Sequence, residues 1–387
     1  MKFETRLLTF DPAPGDRCRP ANTPIYQTAT FRQDSATGFG DYDYSRSGNP
    51  TRAVLESQLA LLEEGSRAFC FSTGLAAITA VTRLLQPGEE ILACDDLYGG
   101  TYRLFSRILS KRGISVKYAD FSDEAQLLAS LTPSVRLVYL ESPTNPLLRI
   151  IDLRKVAERA HAVGALVCVD NSTMSPYLQR PLTLGCDIVL HSATKFLCGH
   201  SDVMAGAVIV KDPSLGEELY LIQNGEGAGL APFDSFLVLR GLKTLALRFN
   251  QQQANARALA VFLREHPAVI DVLYPEFGSD EAIAMHRSQA SGPGAVFSFR
   301  TGDPELSRRM VEACRVFCIT VSFGGVNSTI SLPNYMSHAS IPQHLRAQKE
   351  IPADLVRLSV GIEAVEDLTA DLAQALEKAT TPDRNVS

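Results

Sequence analysis

The sequence has no apolar stretch close to the roughly 18 residues that a membrane-spanning helix needs. It also lacks an excess of positive charge. With 37 Lys and Arg against 43 Asp and Glu, the formal net charge is −6 and the pI about 5.7. That balance offers no electrostatic footprint for nucleic acid or an anionic membrane surface, so neither is expected as a partner. The opening stretch, MKFETRLLTFDPAPGDRCRP, has no apolar core of a signal peptide, and Glu4, Asp11 and Asp16 argue against a transit peptide. A cytoplasmic protein is the expectation.

Motifs for several common chemistries are missing too. No Walker phosphate loop is present, and GEGAG (225–229) lacks the glycine spacing and the preceding strand of a dinucleotide fold. GHSDV (199–203) lacks the final glycine of a hydrolase elbow. The eight cysteines are scattered, several of them inside apolar strands such as FCF and ILAC, where a cysteine is a small buried hydrophobe. Only Cys314 and Cys318 lie close together, with no nearby histidine, so no metal site is expected. There is no internal repeat and no low-complexity segment.

What remains is the composition of a globular enzyme, 45% hydrophobic and 21% charged. At about 100–200 residues per domain, 387 residues predict two. Residues 1–50, rich in Pro, Thr, Asp and Gly, read as an extended arm against a neighbouring subunit. Residues 51–250 alternate short Val/Ile/Leu-rich strands (AFCF, EILAC, RLVYLE, LVCVDN, DIVLHS, VMAGAVIV) with amphipathic helices. That pattern predicts an α/β fold, a mostly parallel sheet with helices on both faces. A long helical region near 232–264 leads into a smaller α+β C-terminal domain, 251–387, with strands near 269–275, 294–300 and 356–361.

The polar residues at the strand ends carry the chemistry. Ser72-Thr73-Gly74 closes a strand and opens a helix, an arrangement suited to an anion, although a Thr cap does the same in ordinary helices. Asp170 ends the strand LVCV. Lys195 follows Ser192 and Thr194 and precedes Phe196, Leu197 and Cys198, with no acidic neighbour to pair it. A lone lysine in such a place usually snorkels to water. Together, an anion cup, an acid at a strand end and a desolvated lysine beside two hydroxyls are the parts that hold pyridoxal 5′-phosphate.

Longer strings carry a family resemblance. YSRSGNPT (44–51), STGLAA (72–77), DDLYGGTYR (95–103), ESPTNP (141–146), the run from Val169 to Gly206 and VRLSVGIE (356–363) resemble the cysteine/methionine-metabolism family of pyridoxal-phosphate enzymes, the trans-sulfuration enzymes. The resemblance implies the aspartate-aminotransferase-like fold, fold type I. It implies Lys195 as the Schiff-base lysine and Asp170 as the partner of the pyridinium nitrogen. Tyr98 would stack on the ring and, as a second catalytic residue beside Lys195, assist proton transfer, with Gly74, Leu75, Ser192 and Thr194 as the phosphate cup. Tyr44 and Arg46 would reach the phosphate from the neighbouring subunit, which makes a homodimer the catalytic unit, assembled into a tetramer. Arg357 with Ser322 would clamp the substrate carboxylate, Asn145 would lie near the phenolic oxygen of the cofactor, and Arg103 would touch the distal part of the substrate. His191 and His200 read as structural.

Within the family, ANTPIYQTATF, LIQNGEGAGLAPFD, TVSFGG and YMSHASIP resemble the plant-type β-lyase branch. An apolar residue, Val321, precedes Ser322 where γ-acting relatives commonly carry glutamate. The implied reaction is β-elimination of an amino-acid thioether, L-cystathionine giving homocysteine, pyruvate and ammonia in methionine biosynthesis. γ-Lyase or γ-synthase activity, and β-elimination of another S-substituted cysteine, are the alternatives.

Overall fold

The structure, a computed structural model, describes residues 1–336 and 351–381. The stretch SHASIP (337–342) of the YMSHASIP string lies outside the described residues.

Seven strands form the larger sheet: β1 (Arg67–Phe71), β2 (Glu90–Cys94), β3 (Ser115–Ala119), β4 (Val135–Glu141), β5 (Leu166–Asp170), β6 (Ile188–His191) and β7 (Gly206–Val210). Their order is β1-β7-β6-β5-β4-β2-β3. From β6 to β3 every pair is parallel. Strand β7 is reversed and runs antiparallel to both β6 and β1. Two reversals restore the direction, so β1 points the same way as β6. The carboxyl ends of β1, β2, β4, β5 and β6 therefore open along one edge, where ligands of such sheets bind.

The central strands are continuous runs of apolar residues because helices cover both faces; all five residues of β2 are buried. Strand β3 escapes the sequence reading. SVKYA alternates exposed and covered positions and carries Lys117, as an edge strand does.

A second sheet follows: β8 (Asp271–Leu273), β9 (Val296–Arg300), β10 (Cys318–Ile319), β11 (Thr329–Ser331) and β12 (Leu355–Ser359), in the order β10-β11-β12-β9-β8. The strands β10 and β11, two and three residues long, are too short for a periodic signal. The helix Val365–Thr380 packs its apolar stripe against this unit.

The helical region expected near 232–264 is present, as two helices, Pro232–Leu242 and Leu245–Glu265. A Cβ on Gly241 would lie 2.1 Å from the Cys198 carbonyl oxygen, so the chain passes too close there for a side chain. The Arg248 guanidinium turns back to donate to the carbonyl oxygen of Gly241 at 2.9 Å and caps the first helix. Residues 1–50 are not extended throughout. Phe3–Arg6 is a helical turn, Leu7 is buried, and Gln58 donates to the Arg6 carbonyl at 2.7 Å.

GEGAG is the end of the helix Pro213–Glu226, closed by Gly227 at φ 78°. All eight cysteines are free thiols. Among the described residues no cluster could hold a metal ion, and no helix is long and apolar enough to cross a membrane.

Candidate active site

A cavity of about 450 Å³ lies where the carboxyl ends of the large sheet meet the second sheet. Gly74, Leu75, Tyr98, Arg103, Asn145, Asp170, Ser192, Thr194 and Lys195 reach it from at or beyond five strand ends, Ser322 from the segment after β10 and Arg357 from β12.

At one end, Thr73 caps the helix Gly74–Thr82, its Oγ1 accepting from the Ala76 N–H at 3.0 Å. Gly74 sits at the mouth of that helix with Leu75 beside it. A Cβ on Gly74 would stand 3.1 Å from the Ser192 side chain, so the glycine keeps the space between helix N-terminus and Ser192 open. The Ser192 N–H donates to Ser172 Oγ at 2.6 Å. Thr194 exchanges bonds with Ala205, which fixes its hydroxyl beside the loop that carries Lys195.

In the middle, Asp170 ends β5. The Ser172 N–H donates to its Oδ1 at 3.0 Å and the Tyr139 hydroxyl to its Oδ2 at 3.2 Å. Burial pushes the Asp170 carboxyl up; the Ser172 bonds, the charge of His191 and the Tyr139 bond pull it back. Tyr98 stands over the cavity from the loop after β2. Its ring folds back so far over Gly100 that a Cβ there would lie 2.3 Å from the ring edge, which accounts for the second glycine in LYGG.

At the other end, the Lys195 amine donates to Ser322 Oγ. Burial lowers this amine to about 8, the Arg357 charge adds to the lowering, and Asp170 opposes it. A lysine near 8 is about one-tenth neutral at pH 7, some hundreds of times more than an ordinary lysine, which makes it competent as nucleophile and base. Arg357, on β12, donates to Asn145 Oδ1 and to the Ser322 carbonyl oxygen, both at 2.9 Å. The Phe323 ring lies 5.0 Å from the Lys195 amine and 5.6 Å from the Arg357 guanidinium, an apolar face against both cations. Arg103 borders the same cavity from the helix Gly99–Arg107.

Tyr44 and Arg46 are not in this group. Tyr44 is exposed, and the Arg46 guanidinium lies 5.4 Å from its ring and donates to the Asn224 carbonyl oxygen. His191 is buried against Glu63, away from the cavity, and His200 bonds the Cys198 carbonyl.

Several cavity residues were missed from sequence, Ser172, Met204 and Phe323 among them, and one is a carboxylate. Glu141 ends β4 in register with Asp170 on β5, and its Oε1 accepts from the Tyr98 N–H at 2.9 Å. Its signal was available: like Asp170, it closes an apolar strand, as the first residue of ESPTNP.

The set suits pyridoxal phosphate on its donors alone. An amine of lowered basicity can meet the aldehyde, a buried carboxylate can meet the pyridine nitrogen, and the glycine-floored helix mouth can meet the phosphate. The family model described as "Cys/Met metabolism PLP-dependent enzyme" matches residues 4–377. The chain belongs to this family. It is a pyridoxal-phosphate-dependent enzyme of fold type I. Among its relatives, the chloroplastic cystathionine β-lyase of Arabidopsis thaliana is 55% identical over 91% of this chain and 76% of its own. The chloroplastic cystathionine β-lyase of Mimosa pudica is 52% identical over 97% and 80%. The crystal structure of cystathionine γ-lyase from Lactobacillus plantarum complexed with L-serine matches with TM-score 0.94 at 42% identity. That match covers 98% of this chain and 99% of the other. The family's cofactor dependence and the cavity's donor set agree.

Proposed function

We propose that this family member is a carbon–sulfur β-lyase that cleaves L-cystathionine to homocysteine, pyruvate and ammonia, a step of methionine-forming trans-sulfuration. The observation that carries the proposal is the convergence of a buried, unpaired amine at Lys195 and a buried guanidinium at Arg357 on one cavity walled by apolar Val321 and Met204. The identity to the Arabidopsis thaliana cystathionine β-lyase supports the choice of reaction.

When bound, pyridoxal phosphate supplies an electron sink for the bond broken at Cα. Lys195 would anchor it covalently and, once free, would take the Cα proton on Nζ; Ser322 Oγ accepts from that amine and would keep it in place. The Asp170 carboxylate would hold a proton on the pyridine nitrogen, and Tyr98 would cover the ring. Gly74, Leu75, Ser192 and Thr194 would bind the phosphate through N–H and hydroxyl donors. Arg357 would bind the substrate carboxylate, its fork aimed by Asn145 and the Ser322 carbonyl. Asn145, whose carbonyl oxygen accepts from Arg357, would offer its amide to the cofactor's phenolic oxygen, and Arg103 would meet the distal end of a long thioether.

β-Elimination removes one proton, at Cα. A γ-elimination removes a second at Cβ and calls for a further polar group beside the substrate. The wall next to Ser322 is Val321, and the two cavity carboxylates, Asp170 and Glu141, are engaged with Ser172, Tyr139 and Tyr98. That disposition favours β.

The catalytic unit we infer is a homodimer, two of which form a tetramer. Tyr44 and Arg46, exposed and outside their own chain's cavity, are placed as groups serving a partner's phosphate site would be. Eight free thiols suit a reducing, cytosolic setting.

The test is product analysis of the purified enzyme on L-cystathionine. Pyruvate and homocysteine are expected. 2-Oxobutyrate with cysteine would overturn the assignment in favour of γ-elimination. Lys195→Ala should lose the visible absorbance and the activity together, and borohydride reduction of the native protein should leave a pyridoxyl mass on the peptide holding Lys195.

A further inference from the structure

Behind the carboxyl ends of β4, β5 and β6, on the face away from the cavity, lies a closed group of polar side chains. Glu63, the last residue of the helix Pro50–Glu63, is fully buried, and so are His191 and Asn171. Strand alternation sends Leu190 into the cavity and His191 to the opposite face, toward this helix. The Glu63 Oε1 is 2.6 Å from His191 Nε2 and accepts from Asn171 Nδ2 at 3.2 Å. Asn171 Nδ2 also donates to the Gln179 carbonyl at 2.8 Å, and Gln179 Nε2 donates to the Ser142 carbonyl at 2.8 Å and to Asn171 Oδ1. Each of the three strand-end members is the sequence neighbour of a cavity residue. Ser142 follows Glu141, Asn171 follows Asp170, and His191 precedes Ser192.

A buried acid–histidine contact is a weak source of net stability, since apolar side chains of the same volume do as well. What it provides is position. Here a single oxygen bridges two strand ends, beside the backbone bond from the Asn171 N–H to the Leu190 carbonyl at 2.8 Å.

We propose that Glu63 is a positioning residue for the cofactor site: through Oε1 it ties the residue after Asp170 to the residue before Ser192, and so sets the gap that the cofactor spans between Asp170 and Lys195. The inference rests on the reading of Asp170 and Lys195 given above. It extends that reading to a residue that touches neither cofactor nor substrate. The charge of His191, on the far side of the same strand ends, also opposes the burial of Asp170.

The experiment uses the full holoenzyme as wild type, Glu63→Ala, Glu63→Gln and Asn171→Ala. Three quantities are read: the dissociation constant of pyridoxal phosphate on reconstitution, the thermal midpoint of the apoprotein, and kcat with KM. Removing the tie should weaken cofactor binding about tenfold to a hundredfold, the scale of one hydrogen bond to a charged group. It should lower kcat at nearly constant KM. Glu63→Gln, whose amide oxygen can take the place of Oε1, should recover most of the affinity, and Asn171→Ala, which cuts one of the two ties, should fall between. If Glu63→Ala lowers the thermal midpoint yet binds pyridoxal phosphate as tightly as wild type, the role is packing and the proposal fails. Glu63→Gln as weak as Glu63→Ala would also overturn it, because charge and not the tie would then be acting. Should Glu63→Ala fail to fold, Asn171→Ala decides by the same comparison. Borohydride labelling of the wild type separates the two levels. No label on Lys195 sinks the site reading itself, whereas a labelled wild type with unaffected variants sinks only this inference.

Discussion

Lys195 shows how one residue's cost becomes its use. Its amine sits between an apolar ring, a hydroxyl and a guanidinium, and burial lowers it from 10.5 to about 8. In the unfolded chain it returns to its ordinary value. Between about 8 and 10.5 the unfolded apoprotein therefore binds the extra proton, and stability rises with pH across that window. Below about 8 the folded state carries the whole penalty of the buried charge. Lys195→Met should then stabilise the apoprotein at pH 7 by roughly 2 kcal/mol, and the gap should close as pH rises toward that of free lysine. Denaturant unfolding of the two apoproteins at several pH values checks this, and a gap independent of pH would contradict it. At this scale the sequence marked residues only in combination: Lys195 alone reads as a snorkelling side chain, and it stands out once Asp170, closing an apolar strand, and the glycine at the helix mouth are set beside it. Glu141 closes an apolar strand as Asp170 does but was passed over, because its role is to hold a backbone N–H and not a ligand. Tyr139, which reaches Asp170 with its hydroxyl, carried no such mark: within RLVYLE it reads as an ordinary strand aromatic.

At the scale of elements, the helix Pro50–Glu63 does more than cover the sheet. Its N-cap, Asn49, accepts from the N–H groups of Thr51 and Arg52 through Oδ1, and its Nδ2 donates to the Tyr26 carbonyl and to Ser45 Oγ. One side chain thus starts the helix and pins the segment that carries Tyr44 and Arg46. Asn49→Ala should cost about 1–3 kcal/mol, more than an ordinary cap, because the donors and acceptor it serves are largely buried. It should also weaken cofactor affinity if Tyr44 and Arg46 serve a neighbouring site. Thermal unfolding and a reconstitution titration measure the two effects separately. The sequence marks this start plainly, since Asn49-Pro50 is a cap followed by a proline at the first helical position. At the break between Pro232–Leu242 and Leu245–Glu265 the sequence shows Gly241, but that a side chain there would meet the Cys198 backbone, distant in the chain, is visible only in the fold.

At the scale of the whole molecule, the cavity exists because two sheets meet. Arg357 on β12 reaches Asn145 after β4, and Ser298 on β9 donates to the Pro146 carbonyl at 2.8 Å, so the second sheet is stitched to the loop after β4. The proposed partner contribution makes a sharp prediction. Mixed dimers of Arg46→Ala and Lys195→Ala subunits contain one site with both defects and one with neither. Co-refolded mixtures should therefore regain activity, up to about a quarter of wild type when random pairing makes half of the dimers mixed. Mixtures no more active than the two parents would show that each site is built from one chain.

The amino-acid sequence alone determined which residues are costly where they stand: an unpaired lysine, an acid closing an apolar strand and a glycine at a helix mouth. It determined the strand–helix alternation as well, because period and apolarity are local quantities. Tertiary structure alone decided what those residues face. The reversal of β7 that keeps β1 opening at the shared edge, the meeting of Arg357 with Asn145, and the contacts of Glu63 with Asn171 and His191 all depend on segments far apart in the chain. No local pattern encodes such contacts, since each is selected only when the sheets and helices pack.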